Sequence, residues 1–86
     1  MLSLLYFTMN SCQPCKTFKP TVISAAAESG VNVNFIDALE NSAMASTYSI
    51  TSVPALIFLK DGMTVHRMTG VTGKQTLMSQ IQQFNS

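Results

Sequence analysis

Leu2 to Phe7 is an almost unbroken apolar run of strand length, ended by Thr8-Met9-Asn10-Ser11 and followed at once by Cys12-Gln13-Pro14-Cys15-Lys16. A segment apolar at successive positions suits a strand buried on both faces of a sheet. From Cys15 onward the pattern becomes helical, with Phe18, Val22, Ile23 and Ala26 expected to face inward. This helix should run to about Glu28 and stop at Gly30. Cys12 then stands at a helix N-terminus, where unpaired backbone N–H groups and the positive dipole end favour a thiolate. That makes Cys12 the candidate nucleophile. Cys15, one turn in and more covered, is the candidate resolving thiol. Residues three apart at such a turn have Cα atoms about 5–6 Å apart, within reach of a disulfide. Pro14 fits the first helical turn, where its missing N–H costs nothing.

A C-x-x-C pair can also be half of a zinc site or a structural disulfide. Zinc needs four ligands, and beyond the two cysteines the chain offers one histidine, His66, and scattered carboxylates. A strand, then C-x-x-C, then a helix is instead the arrangement of redox motifs. The 86 residues are enough for one domain, taken as 1–86, and 47% hydrophobic content indicates an ordered globular chain. A net charge of +1 leaves no electrostatic footprint for nucleic acid or an anionic membrane. The opening Met1–Phe7 is too short to span a bilayer and has no basic flank, so it does not read as a secretory signal. Two cysteines are too few for a secreted disulfide scaffold, which points to the cytoplasm.

The remaining chain supplies partners for the first strand. Val31 to Ile36 reads as a second strand ending at Asp37, and strand–helix–strand within so short a unit implies a right-handed parallel crossover. Asn41 or Ser42 can cap a short helix through Ala43, Met44, Ala45 and Tyr48. Ala55–Leu59, the turn Lys60-Asp61-Gly62 and Met63–Met68 read as a β-hairpin. Leu77, Ile81 and Phe84 form one apolar stripe on a final helix. The expected order is βαβαββα, an α/β fold with a four-stranded mixed sheet flanked by helices. His66 reads as a strand residue at a wet edge, and the six methionines as core filler.

Several of these segments together resemble the thioredoxin family. Cys12-Gln13-Pro14-Cys15-Lys16 is closer to its motif than to that of glutaredoxins. Pro20 stands at the offset of the family's helix-kinking proline, five residues after the second cysteine, and is the expected structural proline. Tyr48-x-Ile50-x-Ser52-Val53-Pro54, a β-run and then Lys60-Asp61-Gly62 follow the family's wording. The resemblance covers essentially the whole chain and implies the thioredoxin fold without its leading strand and helix. It implies a cis bond before Pro54, bringing the Val53 backbone near Cys12 to pair with an extended substrate. Gly70 matches the glycine of the loop flanking the active site. The implied docking patch is Ser11, Gln13, Pro14, Val53, Pro54, Gly70 and Val71, flat and uncharged. The implied activity is reduction of protein disulfides by a monomer that binds no cofactor, recharged from NADPH through a flavoprotein thioredoxin reductase.

The chain also departs from the family. Ser11 replaces a tryptophan, Gln13 a glycine, and Tyr6 a buried aspartate six residues ahead of the first cysteine. Asn34 and Phe35 fall where that aspartate's lysine partner would be. These changes bear on the reduction potential and on how Cys15 loses its proton. Two other functions fit the same residues: a glutaredoxin-like enzyme served by glutathione, and a docking subunit whose dithiol is incidental.

Overall fold

The computed structural model describes residues 1–85, all but the final Ser86. It follows the expected order: β1 (Leu2–Thr8), α1 (Gln13–Ser29), β2 (Asn32–Asp37), α2 (Ser42–Thr47), β3 (Ala55–Lys60), β4 (Met63–Thr69) and α3 (Lys74–Phe84). The strands form one mixed sheet in the order β2-β1-β3-β4, in which only β1 and β2 run parallel. The two most apolar strands, β1 and β3, take the central positions, where both faces are covered.

Alternation along these two strands builds a core on each face. Leu2, Leu4 and Tyr6 join Leu56 and Phe58 against Phe18 and Val22 of α1 and Leu77 and Ile81 of α3. Leu5 and Phe7 join Ala55 and Ile57 on the opposite face, against Ile36 and Ala45 of α2. Phe7, Phe58, Ile57 and Leu77 are each wholly buried. Burying a side chain of that size stabilises a fold by roughly 1.5–3 kcal/mol, so these layers fix the sheet that carries the site.

Helix α1 begins at Gln13 rather than Cys15, with Cys12 as its capping residue and Pro14 in the first turn. It continues through Pro20 without a break, so the proline does not divide it into two helices. Its inward stripe is Phe18, Val22, Ala25 and Ala26. Ile23, expected inside, is 46% exposed because one further residue turns the side chain about 100° off that stripe. The helix stops at Gly30, where φ is +70°, and the Val31 N–H closes onto the Ala26 carbonyl. Asn41 does precede α2, but its side chain donates back to the Asp37 carbonyl instead of capping that helix. The Asp37 carboxylate accepts the Leu39 and Glu40 N–H groups.

The hairpin turn is tighter than expected. Lys60 still pairs with Met63, leaving Asp61 (φ +53°) and Gly62 (φ +83°) as a two-residue turn with both φ positive. His66 lies half-buried on β4, an edge strand of the sheet; its ring stacks 4.8 Å from that of Phe84 and meets the edge of Phe58 at 5.1 Å.

Candidate active site

The register of the sheet gathers three chain segments at one end. Phe7 pairs with Ala55, and Ala55 pairs with Thr69. The loop after β1, the residues entering β3 and the residues leaving β4 therefore emerge side by side. These are the segments that carry Cys12, Val53-Pro54 and Gly70-Val71.

Cys12 and Cys15 are joined in a disulfide with Cα atoms 5.2 Å apart. Cys12 has extended backbone, φ −89° and ψ 102°, as an N-cap residue must. Its Sγ accepts the Cys15 N–H at 3.1 Å, and its own N–H donates to the Met9 carbonyl at 3.0 Å. Sulfur thus occupies the place of a capping oxygen, pointed at by a helix N–H and by the positive end of α1. The two thiols differ in access: Cys12 is partly exposed, whereas Cys15 is 1% exposed. Ser11, Gln13 and Pro14 surround Cys12 and are all exposed.

The Val53–Pro54 bond is cis, Pro54 is buried and Val53 half-buried. The Gly70 N–H donates to the Pro54 carbonyl at 2.8 Å, fastening the end of β4 to this bend. Gly70 has φ +82°, and Val71 beside it is 56% exposed. Beside Val53 the surface is concave rather than flat. Met9, Leu39, Ala45, Ile50, Ser52 and Val53 help to line a largely apolar cavity of about 250 Å³. Sequence reasoning did not find Met9, Leu39 or Ile50 as cavity residues; apolar side chains in loops were their only signal.

Tyr6 is the other residue whose place was not foreseen. It is wholly buried, and its hydroxyl donates to the Cys15 carbonyl at 2.7 Å. Its ring meets those of Phe18 and Phe35 edge-on, at 6.0 and 5.7 Å, and Lys19 lies over the Phe35 ring at 4.9 Å. Where a buried carboxylate was absent from the sequence, a neutral hydroxyl ties β1 to the turn that carries both cysteines. Burial pushes the phenol up to about 12, so it stays protonated and acts as a donor. Among the described residues no group of three or more Cys, His, Asp or Glu side chains is placed to hold a metal ion. No described helix is long and apolar enough to cross a membrane.

A disulfide across the first turn of a helix, with one sulfur accessible and the other sheltered, is the arrangement that thiol–disulfide exchange needs, and marks the class as a thiol–disulfide oxidoreductase. Comparison with known proteins agrees. The family model described as Thioredoxin matches residues 1–83. A thioredoxin from Chlamydia pneumoniae is 38% identical over 81 residues, covering 93% of this chain and 79% of the relative. Among solved structures, a mutant thioredoxin from Halobacterium salinarum NRC-1 superposes with a TM-score of 0.93 at 30% identity, over 99% of this chain and 75% of that one. Fasciola hepatica thioredoxin gives a TM-score of 0.87 at 31% identity, over 95% of this chain and 79% of the other. The chain belongs to the thioredoxin family, whose members act on disulfides through a redox-active cysteine pair.

Proposed function

We infer that Cys12 is the nucleophile and Cys15 the resolving thiol in the reduction of protein disulfides. The observation that carries this assignment is the asymmetry of the pair. Cys12 is accessible and its sulfur receives a helix N–H, whereas Cys15 is sheltered beneath it. In the reduced protein the Cys12 thiolate attacks one sulfur of a target disulfide. That bond breaks, a Cys12–target disulfide forms, and the other target sulfur leaves as a thiolate and takes up a proton. Cys15 then loses its proton and attacks Cys12 Sγ. The mixed disulfide breaks, the second target thiol departs, and the Cys12–Cys15 bond holds the two electrons' worth of oxidation. Tyr6 keeps its own proton at neutral pH, so the Cys15 proton passes to water or to a departing thiolate.

The substrate chain lies extended across Ser11, Gln13, Pro14, Val53, Pro54, Gly70 and Val71, with the Val53 backbone as one β-like rung. An apolar side chain next to the target cysteine enters the cavity bounded by Met9, Leu39 and Ile50. In this scheme residues 1–86 act as one domain and as a cytoplasmic monomer, with no bound cofactor and no nucleic-acid or membrane partner. A flavoprotein reductase returns the disulfide to the dithiol with electrons from NADPH.

Single-cysteine variants test the roles. Cys15→Ser, mixed with a disulfide-containing protein such as insulin, should accumulate a mixed disulfide through Cys12, visible on a non-reducing gel. Cys12→Ser should yield little. An equal or larger yield from Cys12→Ser overturns the assignment.

A further inference from the structure

The segment from Tyr48 to Val53 carries the backbone that meets substrate in the scheme above, and half of the residues that line the cavity beside it. Its own backbone bonds run back into α2, where the Tyr48, Ser49 and Ile50 N–H groups donate to the Met44, Ser46 and Ala45 carbonyls, while Tyr48, Ile50 and Val53 pack against the core on that face. The helix before it, α2, is six residues long, with no basic residue in its last turn and no side-chain cap at its start. Ser49, just beyond that helix, has φ +55°, a left-handed conformation uncommon for a residue with a side chain. The carbonyls around such a helix end project the negative end of the dipole and need donors.

Those donors come from the far edge of the sheet. Arg67 lies on β4 opposite Ile57, whose side chain belongs to the core beneath α2. Its guanidinium forks across the sheet edge: Nη1 donates to the Ser49 carbonyl at 3.1 Å and Nη2 to the Tyr48 carbonyl. A planar guanidinium can hold two neighbouring acceptors at once; an ammonium on a flexible stem fixes only one direction. Three residues further along β4's course, the Gly70 N–H holds the Pro54 carbonyl. The same stretch of chain therefore holds the loop near both ends, at Tyr48-Ser49 and at Pro54.

We propose that Arg67 is a positioning residue for protein substrates, bracing the Tyr48–Val53 loop so that the Val53 backbone and the cavity wall are presented to an incoming chain. The proposal rests on the docking scheme of the preceding section. Arg67 touches neither cysteine in that scheme, so its removal acts on recognition and leaves the exchange chemistry of Cys12 in place.

The test compares Arg67→Met and Arg67→Lys with the unaltered protein in single-turnover oxidation. Each reduced protein is mixed with increasing insulin, or with hydroxyethyl disulfide, which is too small to use the loop. Oxidation is followed by thiol alkylation, since the chain has no tryptophan to report it. Arg67→Met should lose about tenfold in second-order rate toward insulin, mainly through a higher half-saturating concentration, the mark of lost uniform binding. Its rate with hydroxyethyl disulfide should stay within about twofold. Arg67→Lys, able to make one of the two bonds, should fall between. Val71→Asp, which puts a charge on the exposed docking patch, reports separately on the docking scheme. A loss toward insulin in Val71→Asp with none in Arg67→Met overturns the brace and leaves docking standing. A loss in Arg67→Met alone keeps the brace and removes only Val71 from the patch. No loss in either overturns both. Equal losses on both disulfides also overturn the proposal, because they mean that Arg67 serves the fold or the chemistry at large.

Discussion

Replacing Tyr6 by phenylalanine removes one hydroxyl from a site that leaves the ring in place, so the cost can be worked from a single bond. The lost interaction is the 2.7 Å donation to the Cys15 carbonyl, wholly out of water. That carbonyl is not orphaned, because in a helix it also faces the N–H four residues on, at Lys19. The packing against Phe18 and Phe35 survives, and no cavity opens. A neutral buried hydrogen bond contributes about 0.5–1.5 kcal/mol, so Tyr6→Phe should destabilise the oxidised protein by about 1 kcal/mol at pH 7. For a domain of this size that is a fall in Tm of about 4–8 °C.

Alkaline pH reverses the comparison. The Tyr6 phenol ionises at the ordinary 10.0 in the unfolded chain but is held to about 12 by burial in the folded one. Between those values the unfolded state has lost a proton that the folded state keeps. A raised folded-state pKa therefore stabilises fully below pH 10, and that contribution disappears as pH climbs toward 12. The slope is about 1.4 kcal/mol per pH unit. Phenylalanine has no such proton, and every other titration is common to both proteins and cancels in their difference. The variant, less stable at pH 7, should become the more stable one near pH 11. Urea unfolding from pH 7 to 12, read by far-ultraviolet circular dichroism, gives both curves. If they stay parallel across that range, the phenol does not carry the burial argued for it.

Two substitutions elsewhere probe single features. Gly62→Ala should cost about 1 kcal/mol in urea unfolding; the added Cβ meets nothing within 4 Å and the penalty comes from φ +83° alone, so an unchanged midpoint contradicts the turn geometry. Leu39→Asp, at a position 70% exposed on the cavity rim, should leave Tm within about 2 °C yet weaken the single-turnover reaction with insulin several-fold. Equal rates would mean that the cavity takes no part in docking.

Most of the scaffold was legible because its signals are local. The almost unbroken apolar run of β1 suits a central strand, Cys12 to Cys15 marks a helix start, and Leu77-Ile81-Phe84 repeats at the helical period. Signals that depend on two distant segments were not legible. Ile23 fits a helical stripe as well as Ala25 does until the sheet fixes which face turns inward. Asn41 is a good capping residue by type, but its amide turns back to the Asp37 carbonyl instead of to the first turn of α2. His66 is legible as an edge-strand residue, but nothing local shows that Phe84, eighteen positions on, stacks against it. Tyr6 shows the limit most clearly. As a sequence position it was only the absence of an aspartate, and its hydrogen bond to Cys15 exists because β1 and α1 pack in one particular register.

The site is held by two unrelated sets of bonds, and that has a consequence for how it can vary. Exchange chemistry needs the sulfurs of Cys12 and Cys15 and the first turn of α1, and that turn is tied to the central strand by Tyr6. In the proposed scheme recognition draws on the loop before β3, and that loop is tied to β4 by Gly70 and Arg67. None of these bonds is shared between the two halves. A change in Tyr6 therefore acts on the helix turn without moving the loop, and a change in Arg67 does the reverse. With neither Tyr6 nor Arg67 bonded to the half of the site that the other holds, the effects of Tyr6→Phe and Arg67→Met on insulin turnover should be additive in free energy, within about 0.5 kcal/mol. A double variant that departs further from the sum of the single ones would mean that the core between β1 and β4 transmits strain from one half of the site to the other.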